Sequence, residues 1–168
     1  MEVPVAIGLG SNVGDRLDVL QRAVNALKDE IMNLRVSNVY QTKPMYVSDQ
    51  GMFLNMVAVG ETTLSPRDFL LLLKGLEVSL GRVDRIRNGP RELDLDILTY
   101  GHLDYFFQFQ DGKTLQIPHP RLTERGFVMI PLAEIDPNWP IIGKGTAHYF
   151  AENGDWNPED CEIFGRIT

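Results

Sequence analysis

The pattern of hydrophobic and polar positions changes several times along the chain and predicts an ordered series of strands and helices. Residues 3–9 form a nearly continuous apolar run that leads into a glycine-containing loop, which is typical of a buried strand. Asp15 follows this loop and precedes apolar residues at helical spacing, so it is predicted to cap a first helix. Residues 34–40 and 52–61 alternate and are predicted to form the next two strands.

The second half of the pattern begins with a well-marked helix start. Ser65 is a good N-cap, Pro66 suits the first helical position, and Gly81 is a natural end for the helix. A strand is predicted over residues 93–100. A hairpin follows, with arms near residues 105–109 and 115–117. A third helix is predicted from near Pro120 to just before Asp136.

The resulting order, β-α-β-β-α-β followed by extra elements, predicts the fold class. We expect an α+β protein, a ferredoxin-like α/β sandwich with a mostly antiparallel sheet, helices on its faces and an extra C-terminal segment. The 168 residues fit a single domain. Its core is expected over about residues 3–136, with a C-terminal extension over residues 137–168 that completes the core through Trp139, Ile141 and Ile142.

Composition and charge narrow the classes of partner. Hydrophobic residues make up 43% of the chain and charged residues 23%, as in ordinary globular proteins. The single cysteine, Cys161, excludes an internal disulfide, and neither a targeting segment nor a membrane-spanning run is visible, so a cytoplasmic protein is expected. The net charge of −7 argues against nucleic-acid or membrane partners.

The candidate chemistry is concentrated around one strand. Asp94 and Asp96 are two residues apart, so their side chains are predicted to share one face while Leu93, Leu95 and Ile97 enter the core. Two neighbouring carboxylates repel each other unless a cation or water separates them. The simple interpretation is a strand with one solvated face and no chemical role. The functional interpretation is a site that binds magnesium together with a phosphate group.

The segment before this strand favours the chemical interpretation. It contains arginine four times and lysine never, and the guanidinium group is suited to binding phosphate through paired hydrogen bonds. The four residues are Arg82, Arg85, Arg87 and Arg91. Farther along, His119 is predicted to lie at the N-terminus of the third helix, with Arg125 about a turn and a half into it. A simple capping role for His119 stays open.

Residues 87–98, read as Arg-Asn-Gly-Pro-Arg-Glu-Leu-Asp-Leu-Asp-Ile-Leu, resemble the signature of the 6-hydroxymethyl-7,8-dihydropterin pyrophosphokinases. Residues 7–15, 40–55 and 117–127 resemble further segments of that family, in the same order. The resemblance implies a ferredoxin-like fold that transfers the pyrophosphoryl group of ATP to the hydroxymethyl group of the pterin and releases AMP. It also implies ATP and this pterin as partners, with two Mg²⁺ ions. A monomer is expected.

The resemblance also implies roles for individual residues. Asp94 and Asp96 would be the metal ligands and, with Arg82 and Arg91, the catalytic residues. Eight residues would bind ATP: Glu77, Arg82, Arg85, Arg87, Arg91, Ile97, His119 and Arg125. Six would bind the pterin: Thr42, Pro44, Met45, Phe53, Asn55 and Phe127.

Two other functions use the same features. A magnesium-dependent phosphodiesterase or nucleotidyltransferase could employ the same aspartates, but it would need a third acidic ligand nearby and would act without a pterin. A non-catalytic ferredoxin-like binding module, for example for RNA, would need exposed aromatic residues on its sheet and a basic surface.

Overall fold

The computed structural model describes residues 1–42, 53–81, 92–156 and 161–167. The strands are β1 (Val3–Ser11), β2 (Met32–Val36), β3 (Val39–Thr42), β4 (Phe53–Thr62), β5 (Asp94–Tyr100), β6 (Tyr105–Gln108), β7 (Thr114–Ile117), β8 (Pro140–Ile141), β9 (Gly145–Thr146) and β10 (Cys161–Gly165). The helices are α1 (Arg16–Glu30), α2 (Pro66–Ser79), α3 (Gly126–Ile135) and α4 (Ala147–Asn153), with a 3₁₀ turn at Leu122–Glu124.

The central sheet has the strand order β10-β3-β4-β1-β5, and β2 also pairs with β4. The strand pairs in the described residues are antiparallel. The predicted α+β class with a mostly antiparallel sheet is therefore confirmed. In this order β5, which carries the two aspartates, is the last strand at its side of the sheet in the described part of the chain.

Two hydrophobic cores lie on opposite faces of this sheet because alternate side chains of each strand point to opposite sides. One core joins Ile7 and Leu95 to the apolar faces of α1 and α2. The other joins Val57 and Leu98 to α3 and α4. Helices therefore lie on both faces of the sheet, as predicted, with α1 and α2 on one face and α3 and α4 on the other.

The caps of the first two helices follow the sequence. The Asp15 side chain accepts a hydrogen bond from the Asp18 backbone N–H at 3.1 Å. Ser65 accepts one from the Asp68 N–H at 3.2 Å, and Gly81 has a φ of 96°, which glycine adopts without steric cost.

The single strand predicted over residues 34–40 is wrong, because β2 and β3 are separate. Ser37 breaks the run. Its N–H donates to the Val57 carbonyl at 2.9 Å, and its hydroxyl accepts from the Val57 N–H at 3.0 Å. A side chain therefore replaces one backbone partner in the ladder, and the strand restarts at Val39.

The predicted start of the third helix at Pro120 is also wrong. The 3₁₀ turn comes first, and Arg125 is extended, with φ −113° and ψ 105°, so that α3 begins only at Gly126. His119 consequently lies before the turn and not at a helix N-terminus. Arg125 is the N-cap residue of α3 and does not lie within the helix.

The C-terminal segment contributes to the second core. Trp139 and Ile141 are buried in it, whereas Ile142 is only half-buried. The segment also supplies β10, which pairs with β3 and was not predicted. None of the helices within the described ranges combines the length and apolar character needed to cross a membrane.

Candidate active site

The two aspartates lie on the same face of β5, as their spacing predicts. The core between the sheet and helices α1 and α2 contains the side chains of Leu93, Leu95 and Ile97. Asp94 and Asp96 point to the other face of the sheet and are only partly buried. The aspartates are opposite Gly10 and Gly8 of β1, respectively. Because glycine has no side chain, neighbouring side chains lie close to the backbone here: Leu98 is 3.3 Å from where a Gly8 Cβ would be, and the Asn55 oxygen is 2.8 Å from where a Gly10 Cβ would be.

The electrostatics of the pair fit a divalent cation. Burial and the neighbouring Asp94 charge raise the pKa of Asp96 to about 7, in spite of the opposing charges of Lys74 and Arg125. The Asp96 side chain nevertheless remains 33% exposed and is therefore accessible. A cation beside it would relieve the repulsion that disfavours its ionised form.

The described residues contain no cluster of three or more His, Cys, Asp or Glu side chains arranged to hold a metal ion. Two protein carboxylates are still enough for Mg²⁺, which is commonly bound by one or two carboxylates, water and substrate phosphates. The third acidic ligand expected of the phosphodiesterase or nucleotidyltransferase alternative is not found in these ranges.

A polar pair from β3 and β4 lies in register with the aspartates. Asn55, on β4, is opposite Gly10, on β1. Asp94, Gly10 and Asn55 therefore form one row across three adjacent strands. The Asn55 amide nitrogen donates to the Thr42 hydroxyl at 2.6 Å, and both residues are buried. The bond fixes the amide so that its oxygen faces Gly10, where an added Cβ would lie 2.8 Å from it.

Aromatic side chains are present near both ends of this region. Phe53 is half-buried and opposite Thr42 on the neighbouring strand. Phe127, in the first turn of α3, is half-buried against the second core, and the Arg125 guanidinium carbon lies 5.4 Å from its ring centroid. Partly exposed rings of this kind can stack on a flat heteroaromatic ligand.

His119 is held against β5 by its backbone and has a defined tautomer. Its N–H donates to the Leu98 carbonyl at 2.9 Å, and its Nδ1 accepts from the Arg121 N–H at 3.2 Å. Burial and the charge of Arg125 lower the pKa of His119 to about 4. The ring is therefore neutral near pH 7, and Nε2 carries the proton and can donate it in a hydrogen bond.

Arg125 has an unused hydrogen-bond donor. Its Nε is buried and has no hydrogen-bond partner among the described residues. Burial lowers the pKa of Arg125, and the charges of Asp96 and Asp94 oppose that shift. A buried donor that is left unpaired is costly, so this one is suited to an anionic oxygen.

Lys74 is a residue of this region that the sequence analysis missed. Its Nζ lies 3.0 Å from Glu77 Oε2 and 3.9 Å from Asp96 Oδ1. Burial acts to lower the pKa of Lys74, but the charges of Asp96, Glu77 and Asp94 outweigh it and raise the pKa. The available signal was its spacing of three residues from Glu77, an acid within the apolar stripe of α2.

Not all predicted site residues meet at this surface. Glu77 is 2% exposed and lies on the α2 side of the sheet. The Ile97 side chain is 3% exposed in the core opposite the aspartates, so a contact with adenine, which stays a prediction, would involve its backbone. Outside the described residues lie Pro44, Met45, Arg82, Arg85, Arg87 and Arg91.

The sequence is similar to proteins of one family over most of its length. Residues 6–137 match the family model described as 7,8-dihydro-6-hydroxymethylpterin-pyrophosphokinase (HPPK). The 2-amino-4-hydroxy-6-hydroxymethyldihydropteridine pyrophosphokinase of Aquifex aeolicus is 40% identical over 151 residues, which cover 89% of this chain and 91% of that protein. The Bacillus subtilis protein of the same name is 42% identical over 131 residues, covering 77% and 75%.

Longer proteins contain a similar region. The mitochondrial folate synthesis bifunctional protein of Pisum sativum is 43% identical over 132 residues, which are 78% of this chain but 25% of that protein. The crystal structure of wild-type Plasmodium falciparum HPPK-DHPS with pteroate has a TM-score of 0.73 at 15% identity, covering 90% of this chain and 42% of the other, and it supports the fold. The matched region runs from within β1 to just past the end of α3 and so contains most of the chain. This chain therefore belongs to the 7,8-dihydro-6-hydroxymethylpterin-pyrophosphokinase family.

Proposed function

We propose that this chain transfers the pyrophosphoryl group of ATP to the hydroxymethyl oxygen of 6-hydroxymethyl-7,8-dihydropterin. The bond between the β-phosphorus and the oxygen of the α-phosphate breaks, a bond from the β-phosphorus to the pterin oxygen forms, AMP leaves and the hydroxyl proton is released. The observation that carries the proposal is the row of Asp94, Gly10 and Asn55. It sets a carboxylate, proposed to bind a cation, two strands or about 10 Å from an amide suited to a heteroaromatic ring.

Asp94 and Asp96 would hold Mg²⁺, and we propose two ions, as the family resemblance implies. The raised pKa of Asp96 and the partial exposure of its side chain support a cation at this place. When bound, Mg²⁺ would neutralise charge on the triphosphate. The aspartates would act by fixing where that charge is neutralised, which is the principal requirement of phosphoryl-type transfer.

The nucleotide would lie along β5 on the side of His119 and Arg125. The His119 Nε2–H and the free donor at Arg125 Nε are supporting features, because both can donate to phosphate oxygens without a proton transfer. Further guanidinium groups for the phosphates are proposed from the segment that contains Arg82, Arg85, Arg87 and Arg91.

The pterin would bind at Asn55 and Thr42. The Thr42 oxygen accepts the Asn55 N–H, so the Thr42 hydroxyl hydrogen and the Asn55 oxygen remain for a ligand with donors and acceptors on its edge. Phe53 and Phe127 would cover the faces of the ring. Contacts from Pro44 and Met45 complete the proposed pocket.

The decisive experiment incubates the protein with Mg²⁺, ATP and the reduced pterin alcohol and separates the nucleotides. The expected products are AMP and the pterin pyrophosphate in equal amounts, with none formed when the pterin is omitted. Formation of ADP would contradict pyrophosphoryl transfer. Release of pyrophosphate without a pterin would favour the nucleotidyltransferase alternative.

We also propose that the chain acts as a monomeric single domain in the cytoplasm. Its core over about residues 3–136 and its extension over residues 137–168 are expected to unfold together, because residues of both contribute to the second core. Light scattering coupled to gel filtration would test the monomer. A single transition in urea, seen by fluorescence and circular dichroism alike, would test the single domain.

A further inference from the structure

The outer edge of β5, the last strand at that side of the sheet in the described part of the chain, has an unusual pair of partners. Backbone groups on the outer edge of a sheet have no strand to pair with and need water or side chains instead. Leu95 is the residue between the two aspartates. Its N–H donates to Glu77 Oε2 at 2.7 Å, and its carbonyl accepts from Lys74 Nζ at 2.8 Å.

The two side chains come from one helix and contact each other. Lys74 and Glu77 are three residues apart on α2, with their charged atoms 3.0 Å apart. Glu77 is 2% exposed, and a carboxylate this buried is unfavourable unless it is paired and hydrogen-bonded. The donor at Lys74 and the acceptor at Glu77 together supply Leu95 with what a neighbouring strand would otherwise provide.

Lys74 also connects the two faces of the sheet. Its stem starts from α2, which packs on the face of the sheet that carries Leu95. Its Nζ lies 3.9 Å from Oδ1 of Asp96, whose side chain is on the opposite face. One ammonium group therefore touches the backbone between the aspartates and neutralises part of their charge. Neither contact depends on residues outside the described ranges.

We propose that Lys74 and Glu77 are positioning residues that form an edge clamp, defined as their two hydrogen bonds to Leu95, which fixes the Asp94 and Asp96 carboxylates for the metal–nucleotide complex. This inference rests on the proposed function, since it assigns those carboxylates to Mg²⁺ and ATP. A clamp on the backbone controls both aspartates at once, because they are attached on either side of Leu95.

The clamp is tested in the full-length protein with three variants. Lys74→Met keeps the length of the stem but removes the donor, and Glu77→Leu removes the acceptor. Glu77→Gln keeps an oxygen that can accept the Leu95 N–H. Lys28→Met, at the exposed end of α1, is the matched control.

The first measurement is amide hydrogen exchange at Leu95, followed by NMR in metal-free protein. Glu77→Leu and Lys74→Met should each accelerate exchange at Leu95 by about tenfold or more, while Glu77→Gln and Lys28→Met should leave it within about threefold. Unchanged exchange in both Glu77→Leu and Lys74→Met would overturn the clamp. If Glu77→Leu does not fold, unchanged exchange in Lys74→Met alone would overturn the clamp.

The second measurement is binding of Mg²⁺ with a non-hydrolysable ATP analogue, and separately of the pterin alone. Lys74→Met should weaken nucleotide binding by about tenfold and leave pterin binding within about twofold. The double variant Lys74→Met/Glu77→Leu should bind no more than about threefold more weakly than the poorer single variant, because the two residues act as a unit.

Three outcomes would overturn the positioning role. The first is an unchanged nucleotide affinity in Lys74→Met, and the second is a loss of pterin affinity in that variant as large as its loss of nucleotide affinity. The third is a double variant whose loss of nucleotide affinity equals the product of the two single-variant losses. The proposed function fails separately, if the wild-type protein forms no AMP from ATP and the pterin alcohol. The exchange and analogue-binding results would still report on the clamp in that case.

Discussion

Asp94 and Asn55 face each other across Gly10, each in register with that glycine from its own strand. Because neighbouring strands lie about 4.8 Å apart, the two side chains start about 10 Å apart on the same face of the sheet. Because Gly10 has no side chain, the Asn55 amide oxygen can lie close to its backbone, 2.8 Å from where a Cβ would be. The chain therefore has a carboxylate suited to a metal–phosphate complex and an amide suited to a pterin at either end of one short gap.

Gly10→Ala tests whether the absence of a side chain between Asp94 and Asn55 matters for pterin binding. The added Cβ would lie 2.8 Å from Asn55 Oδ1, so the amide would have to move and its bond to Thr42 would be disturbed. We expect the KM for the pterin to rise by about tenfold, while the KM for ATP changes by less than about threefold. Steady-state kinetics with each substrate varied in turn measures both.

Gly75→Ala is the matched control for this change. Gly75 lies on the exposed side of α2, and a Cβ there meets nothing within 4 Å. It should leave both KM values unchanged and stabilise the protein by about 0.5–1 kcal/mol through helix propensity. An equal rise in both KM values in Gly10→Ala would mean general damage to β1 and would contradict the specific role.

Asp94→Asn and Asp96→Asn test the metal-binding role proposed for the two aspartates. Each removes one negative charge while keeping the shape of the side chain, and kcat should fall by about 100-fold or more in each case. Pterin affinity without nucleotide should change by less than about twofold, because Asn55 and Thr42 are untouched. Rates of AMP formation and pterin fluorescence titrations provide the two measurements.

The control for the aspartate variants is Asp104→Asn, at an exposed position near the start of β6. It makes the same change in net charge and should retain the wild-type rate. Retention of full activity by either Asp94→Asn or Asp96→Asn would contradict the proposed chemistry. A matching loss in Asp104→Asn would assign the effect to net charge and not to the site.

The orientation of Asp94 and Asp96 was predictable because a strand alternates with a strict period of two. Burial of Leu93, Leu95 and Ile97 on one face fixes the aspartates on the other without knowledge of any distant contact. The caps at Asp15 and Ser65 were predictable for a similar reason, since each hydrogen bond spans only three residues.

The features that sequence reasoning missed depend on contacts between distant parts of the chain. The break at Ser37 requires Val57 on the neighbouring strand, and the edge clamp requires Leu95 to lie beside α2. The sequence alone does not distinguish Lys74 from an ordinary surface lysine, because its contacts depend on β5 lying next to α2. The late start of α3 depends on the extended backbone at Arg125, which its residue type does not require.

Acid should destabilise the protein in part through His119. Its pKa is about 4 in the folded state and ordinarily near 6.5, so the unfolded state binds more protons between these values. Stability therefore falls as the pH is lowered through this window. His119→Gln should reduce the loss of unfolding free energy between pH 7 and pH 5 by on the order of 1 kcal/mol.

Urea denaturation at the two pH values measures this difference directly. His102→Gln makes the same substitution at an exposed residue and should keep the wild-type pH dependence. An identical loss of stability between pH 7 and pH 5 in wild type and His119→Gln would contradict a neutral, half-buried ring at position 119.

The last prediction concerns the C-terminal segment and its attachment to β5. The Trp139 indole N–H donates to the Thr99 hydroxyl at 3.0 Å, and both side chains are buried in or beside the second core. Trp139→Phe leaves the Thr99 hydroxyl without this donor and should cost about 1–3 kcal/mol of unfolding free energy. Thr99→Val leaves the indole N–H unpaired and should cost a similar amount.

The double variant separates the hydrogen bond from packing. Trp139→Phe/Thr99→Val removes both polar partners, so it should be more stable than the sum of the single losses predicts, by about 1 kcal/mol. Tyr149→Phe, at a ring that is 54% exposed, is the control and should change stability by less than about 0.5 kcal/mol. Strict additivity in the double variant would show that the indole–hydroxyl bond does not couple the segment to β5, and packing of Trp139 alone would then account for its attachment.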